Sequence, residues 1–207
     1  MLTLRSELRH LEALGRFAAK TLSGRTPERA LLPAIFSLLA GLAYQLTYLG
    51  DLGGQIITAI CLFVSLVAIS LFDARYFIIP NVQIGALATI GAVDIVLTDA
   101  MRVPDRAVAA ILAYFGLRVL SLAYRTLRGA AGLGQGDAKL LGAGAIWIGL
   151  DGLPTCILWA AISGMISVGI LRLSGVPVSR RTALPFGPHI CVGIWLVWVF
   201  GPLTVGA

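Results

Sequence analysis

Two aspartates carry the chemistry this sequence could support. Asp137 closes a glycine-rich run, Gly132-Leu-Gly134-Gln-Gly136-Asp137-Ala-Lys139, and Asp73 lies about sixty residues upstream in Phe72-Asp73-Ala-Arg75-Tyr-Phe-Ile-Ile79-Pro80-Asn81. Both adjoin long apolar runs, so any reaction at them takes place at a membrane surface or just inside it. Two carboxyls brought together cannot both ionise easily and therefore share a proton. Such a pair is suited to working on water, because the ionised member can take a proton while the other gives one.

Each acid also has an ordinary reading. Asp137 could cap the helix that follows by accepting a hydrogen bond from a free backbone N–H, and Asp73 could be an interfacial acid at a helix end. The surroundings argue for more. Gly132, Gly134 and Gly136 permit positive φ and close backbone approach. Pro80 pushes Ile79 toward an extended conformation, so the chain leaves its helix soon after Asp73. A third interruption, Leu184-Pro185-Phe186-Gly187-Pro188-His189, holds two prolines that lack backbone donors and hinder helix start. That leaves nearby backbone free for an extended peptide to pair with. Non-helical backbone at membrane depth is tolerated where it is buried in protein or lines a wet cavity. The interruptions therefore imply one water-accessible pocket if they lie on one side of a membrane.

The chain of 207 residues is 58% hydrophobic and 13% charged, with mean hydropathy +0.91. A soluble domain carries about 25% charged residues, so this composition is that of a polytopic membrane protein. The net charge of +6 resides in short loops between apolar runs, a pattern of membrane orientation, and nucleic acid is discarded as a partner. Cys61, Cys156 and Cys191 stand alone in apolar runs, without the paired spacing of a zinc or redox site, and read as small packing residues. No metal is expected.

A bilayer core of about 30 Å needs roughly twenty apolar residues per helix. That ruler predicts an all-α bundle with seven spans, near 31–49, 54–72, 82–98, 107–124, 138–150, 153–173 and 186–202, the fifth of them short. Residues 1–30 form a separate basic segment, either an amphipathic helix along the membrane face or a solvated tail, and residues 31–207 form the transmembrane domain. Alternate loops carry thirteen Lys and Arg on one side against Arg102 and Arg106 on the other. The positive side is cytoplasmic, which puts Asp73, Asp137 and the third interruption together at that face.

Taken in order, these elements resemble the type IV prepilin peptidases, or leader peptidases, membrane aspartic proteases of the Gly-x-Gly-Asp type. The matching pieces are Asp73 with Arg75 and Ile79-Pro80-Asn81; Gly134-Gln-Gly136-Asp137-Ala-Lys139-Leu140; and Pro185-Phe186-Gly187-Pro188. The likeness runs over roughly residues 55 to 200. It implies that Asp73 and Asp137 are the catalytic pair, with Gly134, Gly136, Lys139, Pro80, Asn81, Pro185, Phe186, Gly187 and Pro188 shaping the loops or touching substrate. The implied partners are a pilin-like precursor, whose short basic leader lies ahead of a hydrophobic helix and is cut at the cytoplasmic face just after a glycine, and pilus assembly machinery. The implied location is a bacterial inner membrane. Many family members carry an N-terminal domain with two Cys-x-x-Cys pairs and methylate the new N-terminus with S-adenosylmethionine. This sequence has no such pairs and looks like a compact, peptidase-only form that needs no cofactor, although methylation is left open.

The remaining polar residues read as follows. Asp94 and Arg118 lie at membrane depth, where ionisable groups are costly and warrant a functional hypothesis. They differ in depth by about 10 Å, so Arg118 either snorkels toward the cytoplasm or approaches the carboxylate pair. Lys139 marks the inner interface. His189 is structural. Trp147, Trp159, Trp195 and Trp198 read as lipid-facing or interfacial anchors. Two competing functions predict different things. An ion-coupled transporter would show an inverted repeat with matching breaks, and none is evident. A non-catalytic assembly scaffold would tolerate Asn at both acids.

Overall fold

In the computed structural model, residues 53–128, 134–174 and 184–203 are described, and all regular structure among them is helical. The predicted span at 31–49, the segment 1–30 and Gly132 lie outside the described residues. The elements are α1 (Gly53–Tyr76), α2 (Asn81–Thr98), a single 3-10 turn (Ala100–Arg102), α3 (Val103–Arg128), α4 (Gln135–Leu173) and α5 (Gly187–Phe200). Four of them, α1 to α4, are long and apolar enough to cross a membrane.

Local chemistry sets the ends. The Phe77 N–H closes α1 on the Asp73 carbonyl at 2.7 Å, and Phe77 itself takes φ 54°. This is the left-handed position that usually falls to glycine after a helix. Pro80 then precedes α2 in extended backbone (φ −63°, ψ 135°), as the fixed ring of proline and its effect on Ile79 require. Pro188 occupies the first turn of α5, where its missing N–H costs no helical hydrogen bond.

The predicted fifth and sixth spans form the two limbs of α4. Gly149 interrupts them with φ 72° and ψ −177°, a region open essentially to glycine alone. Helix α5 lies against both limbs and shows that the chain reverses there. Along the first limb, Ile194 packs on Gly144 and the rings of Trp147 and Trp198 lie 6.5 Å apart. Along the second, Val197 faces Gly152 and Gly193 faces Cys156, while His189 bonds Ser163 at 2.9 Å. Residue numbers on α5 rise with the first limb and fall with the second. Arg106 supports the reversal from α3: its Nη1 donates to the Trp147 carbonyl at 3.0 Å, satisfying a group at a helix C-terminal end that lacks an intrahelical partner.

The neighbours follow one register. Helix α1 packs antiparallel to α5, with Phe63 edge-on to Trp195 at 5.5 Å. Helix α2 packs parallel to the first limb of α4, where the Trp147 Nε1–H donates to the Leu87 carbonyl at 3.0 Å over Gly91. A Cβ at Gly91 would lie 2.6 Å from that nitrogen. Trp147 and Trp195 are therefore core residues. The reading as outer anchors is corrected for these two, because Trp147 is covered by α2 and by Trp198, and Trp195 by α1, whereas Trp159 and Trp198 are half-buried. Cys156 and Cys191 are buried and unpaired, as packing residues would be. The ends of the α1–α2, α3–α4 and α4–α5 connections gather at one end of the bundle.

Candidate active site

Three helix ends define a cavity of about 360 Å³, lined by Asp73, Phe77, Ile79, Asn81, Gly134, Gln135, Gly136, Asp137, Lys139, Leu184, Pro185 and Phe186, with Ile78 at its edge. Asp73 comes from the last turn of α1, Asp137 from the first turn of α4, and Leu184 to Phe186 from the approach to α5. Both acids are buried in protein, Asp73 to 5% and Asp137 to 8% exposure, and they are near enough for the charge of Asp137 to bear on Asp73.

Each carboxylate has one oxygen tied to a glycine N–H. The Gly187 N–H, a free donor at the start of α5, points at Asp73 Oδ2 from 3.0 Å. The Gly134 N–H, preceding α4, donates to Asp137 Oδ2 at 3.1 Å. A helix N-terminus favours negative charge through such donors. Among the described residues, neither Oδ1 has a hydrogen-bond partner. The reading of Asp137 as a cap holds as far as it went, since from inside the first turn it accepts the free Gly134 N–H, and the residue lines the cavity as well.

The glycines matter for room. Gly134 has φ −70°, and among the described glycines only Gly149 and Gly201 have positive φ. The expectation of positive φ at Gly134 and Gly136 is corrected, because Gly134 is extended at the N-cap (φ −70°, ψ 151°) and Gly136 lies in the first turn of right-handed α4. A Cβ at Gly187 would stand 2.6 Å from Asp73 Oδ2, and one at Gly134 3.3 Å from Asp137 Oδ2, whereas one at Gly136 would make ordinary contact with Ile79 at 3.4 Å. Gly187 is the position at which a side chain is excluded by the acid itself. Of the backbone after Pro185, the Gly187 N–H is engaged by Asp73. Pro185 lines the cavity, and Pro188 is fully buried in the first turn of α5.

Lys139 and Asn81 close the rim: Lys139 Nζ donates to Asn81 Oδ1 at 2.8 Å, tying the first turn of α4 to that of α2. Arg75, in the last turn of α1, is exposed and does not line the cavity. Asp94 accepts a hydrogen bond from the Thr58 hydroxyl at 2.9 Å. Among the described residues, Arg118 neither pairs with Asp94 nor lines the cavity, so its approach to the acids is set aside. His189 has a partner that the sequence did not suggest, Ser163 on the second limb of α4. Phe77, Ile78, Gln135 and Leu184 line the cavity although the sequence assigned them no role at the site; their adjacency to the three interruptions was the available signal. Among the described residues, no three His, Cys, Asp or Glu side chains gather as a metal site.

The arrangement offers two buried carboxyls facing a cavity large enough for water and part of a peptide, with one oxygen of each fixed and one free. That is equipment for general acid and base work on a substrate held at a helix-lined surface.

Comparison with known proteins agrees with this chemistry. The model described as the type IV leader peptidase family matches residues 60–169. A prepilin leader peptidase/N-methyltransferase of Xanthomonas campestris pv. campestris is 29% identical over 191 residues, covering 92% of this chain and 64% of the relative. Proteins of the same name from Dickeya chrysanthemi (31% over 170 residues, 82% and 58%) and Neisseria gonorrhoeae (26% over 177 residues, 86% and 58%) are similar as well. The chain thus spans about three-fifths of the length of these relatives. No solved structure matches it.

Proposed function

Because the chain belongs to the type IV leader peptidase family, we propose that it is a membrane aspartic endopeptidase that removes a short basic leader from a pilin-like precursor. The observation that carries this reading is the pair of buried carboxyls, Asp73 and Asp137, lining one cavity with one oxygen of each bound by a glycine N–H.

The two acids hold one proton between them. The ionised member takes a proton from a water lodged between the free oxygens, and that water attacks the carbonyl carbon of the scissile amide. The protonated member hydrogen-bonds the carbonyl oxygen during attack and then protonates the leaving amine as the C–N bond breaks. The two acids have exchanged roles by the end of the cycle, so the next turnover starts with the proton on the other carboxyl. The glycine donors keep both groups aimed while charge moves between them. Lys139 and Asn81 hold the two loops in register, and Pro185 and Phe186 form a wall against the peptide.

The cut lies at the cytoplasmic face. Arg75, Lys139 and Arg172 belong to the end of the bundle with the cavity, and Arg102 and Arg106 to the other, in keeping with an excess of positive charge inside. A second reading adds transfer of a methyl group to the new N-terminus, as the names of the relatives state for those proteins.

Incubating the purified protein with a pilin-like precursor and weighing the products tests both. The proposal expects two fragments that together weigh the precursor plus one water. An uncut precursor under conditions where the protein is folded contradicts it. A mature fragment heavier by one methyl only when S-adenosylmethionine is present supports the second reading.

A further inference from the structure

A groove of about 380 Å³ runs beside the cavity, between the second limb of α4 and the start of α5, lined by Ala161, Gly164, Met165, Val168, Leu184, Phe186 and His189. Leu184 and Phe186 line the cavity as well, so the two spaces share a wall. We infer that this groove receives the apolar helix that follows the scissile bond of the precursor; the inference rests on the peptidase reading above.

Three features support that occupant. First, the groove contains no acidic side chain, Lys or Arg, and Met165 on its outer edge is 66% exposed, which suits an apolar segment in lipid. Second, Ala161, Gly164 and Val168 recur at helical spacing on one face. Small side chains so placed let a second helix approach closely, and close packing rather than hydrophobicity is what joins helices in a bilayer. Third, the groove lies level with the two acids, because His189 joins Ser163 on the groove limb two residues after the glycine that binds Asp73. A peptide cut between Asp73 and Asp137 therefore reaches the groove within a few residues of the scissile bond. It passes along Phe186, whose ring lies tilted against that of His189 with centroids 6.2 Å apart.

A larger apolar groove of about 550 Å³ on α2 and the first limb of α4, lined by Ala88, Ala92, Val93 and their neighbours, shares no residue with the cavity. It serves as the internal control. The Ser163–His189 pair takes on a positioning role under this inference, holding Phe186 at the junction of the two spaces.

The test compares two substrates in liposomes: the full-length precursor, and a soluble peptide that carries the leader and only the first few residues after the cut. Ala161→Phe and Gly164→Leu fill the groove, and a Cβ at Gly164 meets nothing closer than His189 at 3.8 Å. Each lowers the ratio of kcat/KM for precursor to that for peptide by about tenfold, the effect of losing one well-packed apolar contact. Ala92→Phe, in the other groove, leaves the ratio where it is. A photoreactive benzoyl-phenylalanine in place of Met165 crosslinks to the precursor. An unchanged ratio in Ala161→Phe, an equal fall in Ala92→Phe, or a crosslink only to lipid or to a second copy of the enzyme overturns the groove. If the unaltered protein cuts neither substrate, the peptidase reading itself fails, a result distinct from these.

Discussion

At the residue scale, reactivity depends on how closely backbone approaches carboxylate. A Cβ at Gly187 would lie 2.6 Å from Asp73 Oδ2, one at Gly134 3.3 Å from Asp137 Oδ2, and one at Gly136 would find only ordinary contact with Ile79. The three alanine variants should therefore rank in that order of damage. Gly187→Ala displaces the acid and lowers kcat by roughly a hundredfold, the cost of a misplacement of about 1 Å at a reacting group; Gly134→Ala costs less and Gly136→Ala least. Single-turnover cleavage with matched protein amounts in membranes reads the series, and equal losses at all three would break the argument. Both acids and all three interruptions were legible in the sequence. Of the two uses offered for the loop glycines, positive φ and close backbone approach, only the second holds at Gly134; the space required beside Asp73 at Gly187 was not legible, because it depends on a contact between residues 73 and 187.

At the element scale, α4 is the part that turns a set of apolar spans into a site. Its first limb, residues 135–148, measures about 21 Å, and α5 is as short, so neither alone matches a hydrocarbon core of about 30 Å. They lie side by side, and each presents its N-terminal turn to one of the acids. The short fifth span was legible from hydropathy, as was a break before residue 153. Its position was not: the predicted spans left residues 151–152 between them, yet Gly149 makes the turn, since φ is invisible in composition. Gly149→Ala forces a side chain into backbone with φ 72° and ψ −177° and should destabilise the fold by about 1 to 3 kcal/mol. Arg106→Met strips the Trp147 carbonyl of its donor and should cost roughly 1 to 3 kcal/mol. Unfolding midpoints in mixed micelles check both, and wild-type values for either would remove that residue from the reversal. Trp147 and Trp195 were misassigned to the lipid boundary because periodicity does not distinguish a helix enclosed by others from one that faces lipid on all sides.

At the scale of the whole molecule, the loops that bear the cavity lie at one end and the Asp99–Arg102 turn and the Gly149 reversal at the other. The proposed orientation, from the positive-inside count, puts the cavity end in the cytoplasm. In a cysteine-free background, Ala100→Cys should react with an impermeant maleimide on intact cells and Ser174→Cys only after lysis; both positions are exposed. The opposite pattern would invert the orientation. The register of the bundle, with α5 enclosed by α1 and both limbs of α4, was beyond the sequence, because long-range pairs such as Ser163 with His189 leave no periodic trace. What could be read was the ordered set of three interruptions, since breaks in apolar runs are conspicuous in a chain so poor in charge.

The central claim is that Asp73 and Asp137 act as one unit on one water, and the most direct measurement is the cleavage rate of Asp73→Asn, Asp137→Asn and the double variant on the same precursor. Groups that work jointly lose nearly everything at the first substitution. Each single variant should fall by about a thousandfold or more, and the double should fall no further. A single variant that cuts at the normal rate, or losses that multiply in the double, would contradict the account.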